Sequence, residues 1–278
     1  MDKIISLYLT ENGSKSDSTK TTIQTGLKRL EKIIGKPFDK LTVKDFSNSD
    51  GVLDKITDMY SLNTTIGTIL SIQKFLNYKK AKVSIIEDYK EILNELIQER
   101  NKNQGQQKFK VGEKENWIEY LELKKVESLS ESYLNNKKSF TEYRNFLILA
   151  LYTLVPPARI GNYLNMIKKD ENSMKQKIDS LPKTHNYMVK TNDTYTMVFN
   201  QYKTSKILGK IKYEIKNTIL NNLISTYLEK YNNNDKIKCF MINVSGKPMS
   251  QTGFTNAQSS ITNRLFKKKL TNNMFRRI

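Results

Sequence analysis

The sequence predicts a mainly α-helical protein with a small antiparallel β-meander, split into an N-terminal helical part and a larger C-terminal part. Three observations carry this. Apolar residues recur at helical spacing over residues 18–97 and again over 140–154. A polar, basic, glycine-containing stretch, ERNKNQGQQKFKVGEKEN, breaks the pattern over 99–116. Between 186 and 215 the apolar period changes from that of a helix to two, the spacing of a half-buried strand.

In chain order, Ser18 is a plausible N-cap for a helix striped by Ile23, Leu27, Leu30 and Ile34, which Gly35 and Pro37 end. Val52, Ile56, Met59 and Tyr60 predict a second helix. Ile66, Ile69, Leu70, Phe75 and Leu76 predict a third, and Ile86, Tyr89, Leu93, Leu96 and Ile97 a fourth. These stripes read as core. The lysines between them (Lys20, Lys28, Lys32, Lys74, Lys79, Lys80, Lys82) fit a solvated face and a DNA-facing side equally well. The domain division expected is 1–98, a linker over 99–116, and 117–278. A linker carrying Lys108 and Lys110 serves as a plain tether or tracks a phosphate backbone.

Past the linker, Leu121, Val126, Leu129 and Leu134 suggest a helix interrupted by polar residues. Residues 140–154 give the strongest helical signal in the chain and predict a central buried helix. Pro156 and Pro157 then stop it near Val155, because proline fixes φ and supplies no N–H. Ile160, Tyr163, Leu164 and Ile167 restart helical spacing, which puts Arg159 at a helix start behind a stiff turn. An arginine there either covers a helix end and pairs with a carboxylate, or holds an anion. NYMVK, YTMVF and the alternation of Ile211, Tyr213 and Ile215 predict three antiparallel strands. The connection NQYKTSKILGK between the last two holds Lys203, Lys206 and Lys210, with Gly209 as its turn residue. A helix over 218–231 follows, then the apolar run of Cys239 to Ile242 and a turn at Gly246 and Pro248. Ile261, Leu265, Phe266 and Leu270 predict a last helix whose other side is Arg264, Lys267, Lys268 and Lys269.

The composition narrows the chemistry. A net charge of +19 attracts phosphate polymers or anionic membranes. No apolar run reaches the roughly 18 residues that span a bilayer, and the first residues do not pattern as a signal peptide, so an intracellular protein without membrane association is expected. One cysteine excludes an internal disulfide and a cysteine-rich zinc site. One histidine, His185, excludes a histidine-cluster metal site, and its KTHN context reads as a solvated loop. Neither metal nor cofactor is expected.

An arginine after a proline turn, a lysine in a β-hairpin after it, and Arg276 near the end, behind a helical domain and a basic linker, resemble the tyrosine recombinase (phage integrase) family. The proline-arginine stretch is most similar to the divergent members found in large DNA viruses and their mobile elements. The resemblance spans nearly the whole chain, with strong motif similarity confined to 151–166 and the Lys203 hairpin. It implies a SAM-like core-binding domain over 1–98 and an integrase-like catalytic domain over 117–278. Arg159 matches the first catalytic arginine, Lys203 the hairpin lysine with Lys206 as fallback, and Arg276 the arginine of the HxxR box. Asn273 stands at that box's histidine, and Asn162 where an acidic residue follows the first arginine. Arg277 extends the positive field, as do Lys108, Lys110, Arg264, Lys267, Lys268 and Lys269 as DNA contacts.

In such enzymes a tyrosine attacks a phosphodiester and forms a phosphotyrosyl link. Two arginines hold the non-bridging oxygens, and the lysine protonates the leaving 5′ oxygen. The family's nucleophile lies well after the HxxR box, and no tyrosine of this sequence occupies that place. Tyr163, Tyr187, Tyr195, Tyr202, Tyr213 and Tyr227 read as core or surface aromatics. Truncation, a tyrosine supplied by another polypeptide, and DNA binding without cutting are the competing explanations, with truncation expected. The implied partners are double-stranded DNA and a homo-tetramer on it. A catalytically silent DNA-binding protein, a type IB topoisomerase-like enzyme and a basic scaffold for RNA or another acidic partner are the alternatives.

Overall fold

The computed structural model describes residues 6, 17–105, 113–173, 177–192, 194–234 and 236–278. The chain forms two compact units, Met1–Lys108 and Phe109–Ile278.

Among the described residues, the long helices of the first unit are α1 (Asp17–Ile34), α2 (Ser49–Met59), α3 (Leu62–Tyr78) and α4 (Val83–Gly105). Their apolar stripes meet in one core of Ile23, Leu27, Leu30, Phe46, Ile56, Ile69, Ile72, Phe75 and Tyr89, all fully buried or nearly so. Each such side chain contributes about 1.5–3 kcal/mol of burial free energy. Gly35 adopts φ +74°, the left-handed turn that ends α1, and its N–H donates to the Glu31 carbonyl at 2.8 Å. The Tyr89 hydroxyl donates to the Phe46 carbonyl at 3.1 Å, so this buried polar group is satisfied.

α1 and α3 approach closely at Gly26, where a methyl group would stand 2.0 Å from Ser71 Oγ. Gly26→Ala is therefore expected to destabilise this unit by about 1–2 kcal/mol, overpacking outweighing the gain in helix propensity. A lowered thermal midpoint checks this. α4 continues to Gly105, past the point where its apolar stripe fails at Glu99. Glu, Arg, Lys and Gln are good helix formers and propagate a helix already nucleated upstream, so of the expected linker, residues 99–105 are helical, as are 113–116. Lys108 and Lys110 lie outside the described residues.

In the second unit, short helices α5 (Glu113–Asn116) and α6 (Tyr120–Leu123) precede α7 (Lys125–Asn135) and α8 (Phe140–Thr153). α8 is the expected central helix: ten consecutive residues, Tyr143 to Tyr152, are buried. A capping box starts it, with the Glu142 N–H donating to Ser139 Oγ and the Glu142 carboxylate reaching back to the Ser139 N–H. α7, α11 (Thr218–Lys230) and α12 (Gln251–Phe266) pack around it. Tyr133 stacks on Phe146 with ring centroids 3.8 Å apart, and the Tyr143 hydroxyl donates to the Leu223 carbonyl at 3.2 Å.

Among the described residues the sheet has four strands, not three: β1 (Ile167–Asp170), β2 (Tyr187–Thr191), β3 (Thr194–Phe199) and β4 (Ile211–Glu214), in that order. β2, β3 and β4 form the expected antiparallel meander, and β1 adds in parallel along β2. The helix expected to run from Arg159 through Ile167 is one turn, α9 (Ile160–Tyr163). Gly161 and Asn162 are weak helix formers, Leu164 is extended, and Asn165 at φ +58° turns the chain into β1. The Cys239 to Ile242 run lies along β1, with the Phe240 N–H donating to the Met166 carbonyl at 2.7 Å and the Lys168 N–H to the Lys238 carbonyl at 2.8 Å.

α12 ends at Phe266, and Lys267 follows in the left-handed conformation at φ +55°. Lys267, Lys268 and Lys269 thus leave the helix, and the basic helix face expected from Arg264 to Lys269 does not form. A last turn, α13 (Asn272–Phe275), is capped by Thr271. No helix among the described residues is long and apolar enough to cross a membrane.

Candidate functional site

Arg159 is the N-cap of α9, in extended conformation behind Pro156 and Pro157, and is exposed. Lys203 is exposed in the turn after β3, and Lys206 is exposed on α10 (Ser205–Leu208). Arg276 is the C-cap of α13 and is exposed. Three elements carry these groups, and the sequence joins them through contacts that charge and motif do not reveal.

The first junction links α13 to the proline turn. Asn272 Nδ2 donates to the Ala158 carbonyl, one residue before Arg159, at 3.4 Å. Phe275 packs on Tyr152 with ring centroids 5.5 Å apart. Among the described residues the buried Tyr152 hydroxyl has no hydrogen-bonding partner of normal geometry, and it lies in the electrostatic reach of Arg276 and beside Asn272. Burial pushes that hydroxyl far above its ordinary value, against the opposing pull of both neighbours. Arg276 thereby lies over the end of the helix whose following turn presents Arg159.

The second junction links α9 to the strand end that leads to Lys203. Asn186 is 4% exposed and uses its whole side-chain amide. Its Nδ2 donates to the Asn162 carbonyl and to the Gln201 carbonyl, each at 2.9 Å. Its Oδ1 accepts from the Asn200 N–H at 2.8 Å and the Gln201 N–H at 2.7 Å. Beneath this clasp, Tyr163 packs edge-on to Phe199 and stacks on Phe254 of α12, with centroids 6.4 and 6.0 Å apart.

The corner therefore gathers the elements of Arg159, Lys203 and Arg276, with Asn162 half-buried and Asn273 exposed. Among the described residues, none of Arg159, Lys203, Lys206 and Arg276 has an ion-pair partner. Of the other sequence-predicted cations, Arg264, Arg277 and Lys268 have side-chain partners. Arg264 forms an ion pair with Glu142 at 2.7 Å and donates to the Tyr133 hydroxyl. Arg277 pairs with Glu113 at 2.7 Å and lies 5.6 Å over the Trp117 ring. Lys268 donates to the Glu115 carbonyl, and the Lys269 N–H donates to Asn116 Oδ1 at 2.8 Å. Lys267 and Lys269 side chains are exposed. His185 is exposed, with Nδ1 2.9 Å from Thr184 Oγ1.

Sequence reasoning missed Asn186, Asn272 and Tyr152. Asn272 adjoins the NMFR motif and was findable as the first residue of its turn. Asn186 carried no signal beyond lying at a strand start.

Fold and site together define a class: a mainly α-helical protein with a small sheet, in which Arg159, Lys203 and Arg276 are exposed and, among the described residues, without an ion-pair partner. No family model matches the chain, and no characterised protein matches it in sequence. Among solved structures it is similar to a crystal structure of XerA recombinase, with 12% identity and a TM-score of 0.37, over 99% of this chain and 80% of that one.

Proposed function

We propose that this chain binds duplex DNA as a protein of the tyrosine recombinase type, its second unit gripping a backbone phosphate with Arg159, Lys203 and Arg276. The observation that carries the reading is the contrast between cations. Arg264 and Arg277 spend their charge on carboxylates, whereas Arg159, Lys203 and Arg276 have none among the described residues. Exposed guanidinium groups on elements pinned by Asn272 and Asn186 are pre-positioned for the non-bridging oxygens of a phosphate. Lys203 on its hairpin serves as donor to a bridging oxygen, with Lys206 as its neighbour, and Asn162 and Asn273 as supporting hydrogen-bonding groups.

The reading assigns no nucleophile to this corner. Tyr152 and Tyr163 are the tyrosines packed under it, and burial holds both hydroxyls well above their ordinary value, which disfavours the phenolate. The Tyr202 hydroxyl is committed to the Gly209 carbonyl at 2.7 Å. Strand cleavage would draw its tyrosine from elsewhere.

The test is binding of a short duplex by fluorescence anisotropy across a salt series. Wild type is expected to lose affinity steeply with salt. The triple variant Arg159→Ala/Lys203→Ala/Arg276→Ala is expected to bind more weakly and to flatten the slope by up to about three units, near one for each phosphate that is no longer neutralised. Arg264→Ala serves as a control that removes a surface arginine already paired with Glu142. Equal effects per charge removed in both variants would reject the site and leave only a general basic surface.

A further inference from the structure

The two most solvent-exposed large aliphatic side chains near this corner are Ile207 and Leu208, at 84% and 64%, with Ile211 behind them at 39%. They stand in the same connection as Lys203. Exposed aliphatic pairs in a soluble protein mark a contact surface or a liability.

This tip is built rather than loose. The Tyr202 hydroxyl closes the loop onto the Gly209 carbonyl at 2.7 Å. The Leu208 N–H donates to the Thr204 carbonyl at 3.0 Å and the Gly209 N–H to the Ser205 carbonyl at 2.9 Å. Gly209 sits at φ +70°, ψ −155°, a conformation open to glycine and hardly to other residues. At the base, Lys210 Nζ donates to the Asp179 carbonyl and Lys212 Nζ to its carboxylate, each at 2.8 Å. The charge around the aliphatic pair is positive on both sides. Lys203 and Lys206 are unpaired among the described residues, and Lys210 and Lys212 share the single carboxylate of Asp179.

We propose that Ile207 and Leu208 form an apolar wedge that enters the stacked bases of duplex DNA while the flanking lysines hold the phosphates on either side. Duplex DNA fits this pattern because it is the partner proposed above and offers an apolar stack bordered by phosphates at short range. Aliphatic side chains that enter a base step unstack it and kink the duplex, most readily at flexible TA steps. The wedge would open the duplex beside the phosphate that Lys203 serves. The inference rests on the DNA-binding reading above and deepens it.

The experiment uses the whole chain and a duplex with 2-aminopurine 3′ to the thymine of successive TA steps, whose fluorescence rises on unstacking. Wild type at saturation is expected to raise the signal, and Ile207→Ser/Leu208→Ser to abolish the rise with an unchanged thermal midpoint and an unchanged salt slope. Ile207→Met/Leu208→Met should keep the rise, since it keeps an apolar tip of similar size. Saturable binding by wild type with no rise, or a rise retained by the serine variant, overturns the wedge and leaves DNA binding intact. If wild type does not bind duplex at all, both readings fall. If the serine variant instead loses only self-association in sedimentation, the tip is a protein contact and the wedge is overturned.

Discussion

Asn186→Ala is expected to unfold the second unit at markedly lower denaturant, by about 3–5 kcal/mol, because one substitution strands four backbone groups. The Asn162 carbonyl, both polar groups of Gln201 and the Asn200 N–H lose their shared partner together. Asn186→Asp should cost nearly as much, since a carboxylate keeps the two accepted bonds but faces two carbonyls without a donor. Chemical denaturation checks both. Variants that remain folded are expected to show faster amide exchange from Gln201 to Lys203, which would separate the junction's role in placing Lys203 from its part in general stability. Normal exchange there would show that the strand end holds its place without the clasp.

Phe254→Ala is expected to be comparably severe, about 3–5 kcal/mol, the usual range for removing a fully buried phenylalanine. Phe254 has no exposed surface. Its ring lies 6.2 Å from Tyr152 and 6.0 Å from Tyr163, so it supports both the end of α8 and the single turn of α9. Arg159 lies between those two tyrosines in the chain. Phe254→Leu is expected to recover most of the stability and to leave a looser Arg159, seen as weaker duplex binding at an unchanged salt slope. If Phe254→Leu binds as wild type does, packing beneath the turn does not set the arginine's position.

How much of this could be read from the residues differs by element. The helices of the first unit and α8 were legible because burial imposes a period on apolar side chains, and the stripe of Ile23, Leu27 and Leu30 is that period. The meander was legible from alternation, and the stop at Val155 from the prolines. β1 was not. IKKD has one apolar residue, and its strand state comes from pairing with Tyr187 to Lys190, well down the chain. Charge gave cations but not their partners. Arg264, Lys268 and Arg277 looked as available as Arg159 and Arg276, and only the fold distinguishes a guanidinium beside Glu142 or Glu113 from one facing water. The junctions at Asn186 and Asn272 are long-range and polar, and neither leaves a pattern.

The contacts of α5 carry a practical consequence for dissecting the molecule. Glu113 grips Arg277, Trp117 underlies the same guanidinium, and Glu115 and Asn116 hold Lys268 and Lys269. A second unit excised at Trp117, where the apolar pattern resumes, would discard three of those four anchors and release the tail that carries Arg276. An excision that begins ahead of Glu113 would keep them. Two fragments differing by so few residues would then differ in phosphate affinity, and a weak result from the shorter one would report the cut rather than the protein.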